Sequence, residues 1–236
     1  MAEMGSHPQK WANSVNFCCL LSVMGIHACV PWAYRDILTH TCCSSLLYAS
    51  SSFGLFNFQL SNSGNIDRYD RLTQTINGMP KFAEWYYGPQ KRLLGAYTLD
   101  LNNATTLYDA TRITVGYQAI EESRMDRRFN KNFLNHRIEK LDILTVNADF
   151  SKKKGNHEMR YGLDAWHNKV ASSAYQLDIV ADTMAALDTR YPDGGSTMMS
   201  AAAYTTHTWE INDKFILNDG LRASYVRLNS AFVDKT

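Results

Sequence analysis

The feature that most constrains this chain is a period of two, repeated along it. From residue 53 onward apolar and polar side chains alternate in segment after segment, as they do in a pleated strand with one face in an apolar medium. Ile113, Val115, Tyr117 and Ala119 point one way, and Thr114, Gly116 and Gln118 the other. Leu144, Val146, Ala148 and Phe150 oppose Thr145, Asn147 and Asp149, and Met159, Tyr161, Leu163 and Ala165 oppose Arg160, Gly162 and Asp164. Ala203, Trp209 and Ile211 oppose Tyr204, Thr206, Thr208 and Glu210. Phe215, Leu217, Leu221, Ala223 and Tyr225 oppose Asn218, Gly220, Arg222 and Ser224. With Leu93–Leu101 and Phe53–Leu60 added, the pattern predicts about seven strands and no convincing helix.

The connections alternate in length. Asn102–Tyr108, Ser151–Asn156 and Asn212-Asp213 read as short, whereas 61–84, 124–136 and roughly 169–202 read as long. Short turns therefore gather at one edge of a sheet and long loops at the other. The expected fold is all-β: an antiparallel up-and-down meander forming a segment of a transmembrane β-barrel, whose turns are tight on one side of the membrane and long on the other. Strands of about eleven residues at about 3.3 Å each, tilted, are long enough to cross.

Cost decides which face meets lipid. A charged side chain facing mid-membrane costs about 2–4 kcal/mol, and one facing a wet lumen costs little. The faces carrying Arg92, Asp149, Arg160, Asp164 and Arg222 are expected to point inward, with Tyr97, Tyr117, Trp209 and Tyr225 in the interfacial aromatic girdle. A soluble β-sandwich, perhaps a carbohydrate-binding module, would show the same alternation with the apolar faces packed together. Connection asymmetry and strand length favour the barrel.

Composition changes near residue 52. Residues 1–52 hold all five cysteines (Cys18, Cys19, Cys29, Cys42, Cys43) and only four charged residues. The 14-residue apolar run 17–30 is shorter than the roughly 20 residues a membrane helix needs. It can be read as a signal-peptide core flanked by Lys10; our reading is a cysteine-containing leader, disordered or foreign to residues 53–236. Adjacent cysteine pairs and an odd cysteine count fit neither a zinc knuckle nor a disulfide framework. No metal and no cofactor are expected. With 24 Lys+Arg against 23 Asp+Glu, the chain also lacks the basic surplus that draws proteins to phosphate backbones, so nucleic acid is not an expected partner.

The stretches 58–73 (FQLSNSGNIDRYDRLT), 82–97 (FAEWYYGPQKRLLGAY), 113–129 (ITVGYQAIEESRMDRRF) and 158–168 (EMRYGLDAWHN) resemble the barrel region of TonB-dependent outer-membrane receptors. The resemblance runs from about residue 53 to the C-terminus. It implies a cell outer-membrane location, contact with outer-membrane lipid, and active uptake of a scarce solute: a ferric siderophore, haem, cobalamin or an oligosaccharide. It also implies an energy-coupling complex that acts through a plug inside a barrel of about 22 strands. No plug, signal peptide or TonB-contacting box is recognisable here, and the chain ends in Val233-Asp234-Lys235-Thr236 instead of an aromatic residue. The expectation is a fragment of a receptor, inactive alone.

In the long loops, Trp85, Tyr86 and Tyr87 are candidates for ligand contact, because rigid amphipathic rings give contact area at low entropic cost. Arg124, Arg127 and Arg128 would suit an anionic ligand, since guanidinium forks pair with carboxylate or phosphate. The rival readings are an outer aromatic girdle for Tyr86 and Tyr87, and lipopolysaccharide phosphates or plain solvent for the arginines. An enzyme is not expected: Glu121-Glu122 and His157-Glu158 are strand neighbours that point to opposite faces, and no nucleophile elbow, metalloprotease run or phosphate-binding loop is present. A small outer-membrane barrel enzyme would need residues brought together from a distance, such as His136, His167 and His207.

Overall fold

A computed structural model describes residues 32–34, 38–49 and 51–233. In chain order the elements are β1 (Trp32–Tyr34), β2 (Leu38–Ala49), β3 (Ser52–Ser63), β4 (Ile66–Asp67), α1 (Tyr69–Leu72), β5 (Thr75–Ile76), β6 (Met79–Pro80) and β7 (Phe82–Tyr87). There follow β8 (Lys91–Leu101), β9 (Ala110–Arg128), β10 (Phe133–Lys154), β11 (His157–Asp178), β12 (Thr183–Ala186), β13 (Ser196–Asn212) and β14 (Phe215–Ser230). The main path is an antiparallel meander in the order β1-β2-β3-β8-β9-β10-β11-β13-β14. The seven strands read from the sequence are all present. α1, a single turn inside a loop, is the one helix among the described residues.

Register turns seven separate alternations into one surface. Phe56 of β3 pairs with Tyr97, Tyr97 with Val115, Val115 with Val146, Val146 with Ala165, Ala165 with Ala201 and Ala201 with Tyr225. Directly paired residues share a face, so the apolar sets of β3, β8, β9, β10, β11, β13 and β14 form one contiguous apolar face. The opposite face is laced with polar pairs. Arg112 Nε donates to Asp100 Oδ1 at 2.6 Å, Arg92 to Gln118 at 2.7 Å and Thr208 to Asn218 at 2.8 Å, and Arg222 pairs with Asp164 at 3.4 Å.

This single layer excludes the sandwich. Phe82, Trp85, Leu134 and Ala202 are the only buried apolar residues described, and no described side chain is fully buried. Leu163 is 60% exposed and Leu221 73%, where a sandwich would hide them between two sheets. The apolar stretch of β10 is bounded on its own face by Asp142 and Lys152. Ten residues span about 33 Å along a strand, or about 25 Å along the membrane normal at a tilt of about 40°, the height of the lipid-facing band of an outer-membrane barrel.

The edges differ in one respect from the sequence reading. Short connections do lie at one edge: Gly155-Asn156 and Asp213-Lys214 each join two strands, and 102–109 joins β8 to β9. Gly155 takes φ +57, the left-handed value that mirror-image two-residue hairpin turns require. At the other edge, 64–90 and 179–195 are long, but the connection expected over 124–136 is only the four-residue turn 129–132. Outside hydrocarbon the outward face is free to be polar, so the alternation fades there while pairing continues as far as Leu134↔Arg127. β2 also lies on the N-terminal side of the composition change at residue 52 and pairs with β3 over all twelve of its residues. Residues 1–31, with Cys18, Cys19, Cys29 and the run 17–30, lie outside the described residues.

Candidate functional site

The sheet rearranges at its long-connection edge. β8 ends where Lys91 pairs with Glu121, and above that point β9 is paired on the same side by β7. The connection 64–90 folds back on itself to allow this, with β4 hydrogen-bonded to β7 and Arg68 N–H donating to the Trp85 carbonyl at 3.0 Å. A tight Asn77-Gly78 turn, both residues at positive φ, closes the β5–β6 hairpin within it. That dipeptide is a strong hairpin signal, and it lay unread in the sequence.

All six predicted residues thereby lie on one strand pair, with a bulge between Phe82 and Glu84. Tyr87 pairs with Arg124, Tyr86 with Met125 and Trp85 with Asp126, while Arg127 pairs with Glu84 and Arg128 with Phe82. They do not share a face. Trp85, Tyr87 and Arg124 continue the polar face of the sheet. Tyr86 stands on the opposite face in the row Met125, His136, Tyr175, where His136 and Tyr175 stack at 4.6 Å. The aromatic triplet therefore splits as strand neighbours must.

On the polar face the rings and guanidinium groups interleave. The Arg68 guanidinium lies 5.0 Å from the Trp85 ring and 5.5 Å from Tyr87, and that of Arg124 lies 5.4 and 5.3 Å from the same rings. Trp85 and Tyr87 meet edge to face at 5.0 Å, and Trp85 is only 7% exposed. Such cation–π contacts hold both guanidinium groups against the ring faces. Arg68 also donates to the Tyr87 hydroxyl at 2.7 Å and, through Nε, to Asp70 at 2.6 Å, which holds the Asp70 carboxyl below the usual carboxylate range. Trp85 is thus a covered platform, and the groups presented above it are Arg68, Arg124 and Tyr87.

The other two arginines are engaged elsewhere. Arg127 Nε donates to Glu84 at 2.8 Å and its NH1 to the Lys131 carbonyl at 3.1 Å, and the Arg128 guanidinium lies 4.8 Å from the Phe82 ring. Four polar-face residues absent from the sequence reading complete the wall. Asp126 accepts from Arg137 at 2.8 Å and from Asn135 at 3.0 Å, and Gln176 donates to Asn135 at 2.9 Å. On the connection 179–195, Arg190 lies 3.9 Å from Glu139. Arg124 Nε and Glu139 Oε1 are buried without a hydrogen-bond partner. A buried donor and a buried acceptor left open on one wall are what an incoming polar ligand can satisfy.

Of the histidines named above, His136, His167 and His207 do not gather: His136 stacks on Tyr175, whereas His207 meets His157 near the short-turn edge. Glu121 and Glu122 stand on opposite faces, Glu121 paired to Lys91 at 3.1 Å and to Lys140 at 3.5 Å.

No protein-family model matches the chain, and no curated protein matches its sequence. Among solved structures it is similar to a protein described as copper transporter OprC, with a TM-score of 0.55 over 85% of this chain at 11% identity. This chain spans 38% of that one. The likeness shows a shared fold: the meander is a segment of an outer-membrane-type β-barrel.

Proposed function

We propose that the chain is part of a TonB-dependent-type outer-membrane receptor for a scarce solute, with its apolar face in lipid and its polar face lining the lumen. The observation that carries this is the register, which joins the apolar sides of seven strands into one exposed face of membrane height. A copper transporter of the same fold fits a transport role. The sheet described here is open, running from β1 to β14 with no pairing between them, and β14 is exposed along its whole length. Lipid does not tolerate an open strand edge, so these strands act within a larger barrel, and energy coupling through a plug belongs to that whole.

At the lumenal mouth, Arg68, Arg124 and Tyr87 contact the ligand while Trp85 supports them from beneath. The chemistry suits a solute with carboxylate, phosphate or catecholate oxygens. We read the site as binding and not catalytic.

Two measurements test this reading. On membrane fractionation the chain is expected with the outer membrane and to need detergent for extraction; a monomer that remains in solution without detergent contradicts it. In detergent, tryptophan fluorescence titrated with a ferric siderophore, haem, cobalamin and an oligosaccharide is expected to respond to one of them. Arg124→Ala should weaken that response at least tenfold, and an equal response in the variant contradicts the placement of the site.

A further inference from the structure

Near the short-turn edge, far along the strands from the mouth, a second group of side chains meets on the apolar face. His157 and Met159 are same-face neighbours on β11; β13 places His207 directly opposite Met159, and β14 places Asp219 directly opposite His207. His157 Nδ1 lies 3.0 Å from His207 Nε2, and His207 Nδ1 lies 3.4 Å from Asp219 Oδ2. Trp209 stacks on the His157 ring at 5.3 Å. An open groove of about 460 Å³, lined by Met159, Thr205, His207, Asp219, Gly220 and Leu221, gives access from outside.

We propose that His157 and His207 chelate a late first-row divalent metal ion, Cu(II) most tightly, with the Met159 thioether as a third, softer donor and Asp219 as a positioning residue. Two facing nitrogens already 3.0 Å apart need little movement to reach one ion about 2.0–2.1 Å from each. Imidazole pairs suit copper, nickel and zinc, and the general affinity order places copper first.

The carboxylate sets the tautomer. With Asp219 accepting the Nδ1 proton of His207, the Nε2 lone pair of His207 is directed at His157, the arrangement that orients metal-binding imidazoles. Without metal, His157 Nδ1–H fills that lone pair; with metal, the His157 proton resides on its Nε2 and both lone pairs meet the ion. Nearby cations leave room. Lys152, opposite Met159, is turned to Asp109 Oδ1 and to the Thr105 carbonyl at 2.6 Å each, and Lys154 stands opposite His157. No three His, Cys, Asp or Glu residues cluster as ligands among the described residues, so the site rests on the imidazole pair and the thioether. It is independent of the mouth and of the solute bound there.

The test uses the full chain in detergent, with all five cysteines changed to serine so that thiols do not compete. Titration with CuCl₂, followed by electron paramagnetic resonance, is expected to give one equivalent with a tetragonal, nitrogen-coordinated signal. His157→Ala and His207→Ala should each weaken binding at least tenfold, and Asp219→Asn by about tenfold. His167→Ala should leave it unchanged, and Zn(II) should bind more weakly than Cu(II). A variant-free measurement guards against misfolding: Cu(II) should protect His157 and His207 from diethylpyrocarbonate in the folded chain, read by mass spectrometry. Equal Cu(II) affinity in both alanine variants, or no protection of the pair, overturns the proposal.

Discussion

The middle of the sheet and its long-connection edge are built from the same strands under different rules. Along β10 between Asp142 and Lys152 the outward positions are apolar and the inward ones from Thr145 onward are polar, and little side-chain area is buried on either face. Between residues 133 and 141 the same strand carries Arg137, Glu139 and Lys140, and its neighbours supply ion pairs, stacked rings and the most covered aromatic residue, Trp85. The difference teaches where each force acts. In the band the environment supplies the apolar contact and the protein supplies only the pattern. At the mouth the protein makes its own core from guanidinium groups and rings.

Trp85→Ala removes the platform beneath two guanidinium groups and is expected to have the largest effect, about 3–5 kcal/mol on the local stability of the connection 64–90. Limited proteolysis should then cut within 64–90 while the strands stay protected. A variant as resistant as the parent would show that the mouth does not depend on that core.

A pair of arginine substitutions on one face of β10 sharpens the comparison. Val146→Arg, in the band, should cost about 2–4 kcal/mol in lipid, whereas Ile138→Arg, above it, should cost at most about 1 kcal/mol. Equal costs, measured by reversible unfolding from bilayers, would remove the distinction between the two zones.

The smallest effect is electrostatic. In the connection 102–109, the Lys152 ammonium and the Lys153 N–H hold the Asp109 carboxyl below the usual carboxylate range. A carboxyl whose folded pKa is depressed adds stability above its unfolded value, about 3.9, and loses it as pH falls through the lower folded value. Asp109→Asn should therefore lower stability at neutral pH, and the gap from the parent should close in acid. A gap that widens in acid contradicts the assignment.

The sequence made the band legible because the cost of a misplaced charge there is written into nearly every residue. Seven strands and the side chains that share a face could be read from alternation, and the short-turn edge from connection lengths. The upper zone was less legible for the same reason: at Glu121-Glu122-Ser123 the alternation ends although the strand continues, so a hairpin with a four-residue turn looked like a long loop. The candidate residues were found by chemical type, which locates them on one strand pair but cannot assign faces across a connection that folds back. Only the β7–β9 register sets Tyr87 against Arg124 and Arg127 against Glu84. Arg68, Asp126, Arg137 and Glu139 gave no local signal, because the partners that place them at the site lie 11 to 51 residues away.

Facing along one strand is the most direct measurement of the central claim. Single-cysteine variants from residue 143 to 151 on β10, each carrying a fluorophore in the otherwise cysteine-free full chain, can be quenched by brominated lipid. The label should be strongly quenched at 144, 146, 148 and 150 and weakly at 145, 147 and 149. Uniform quenching, or quenching with the opposite parity, would contradict a lipid-facing apolar side and a lumen-facing polar one.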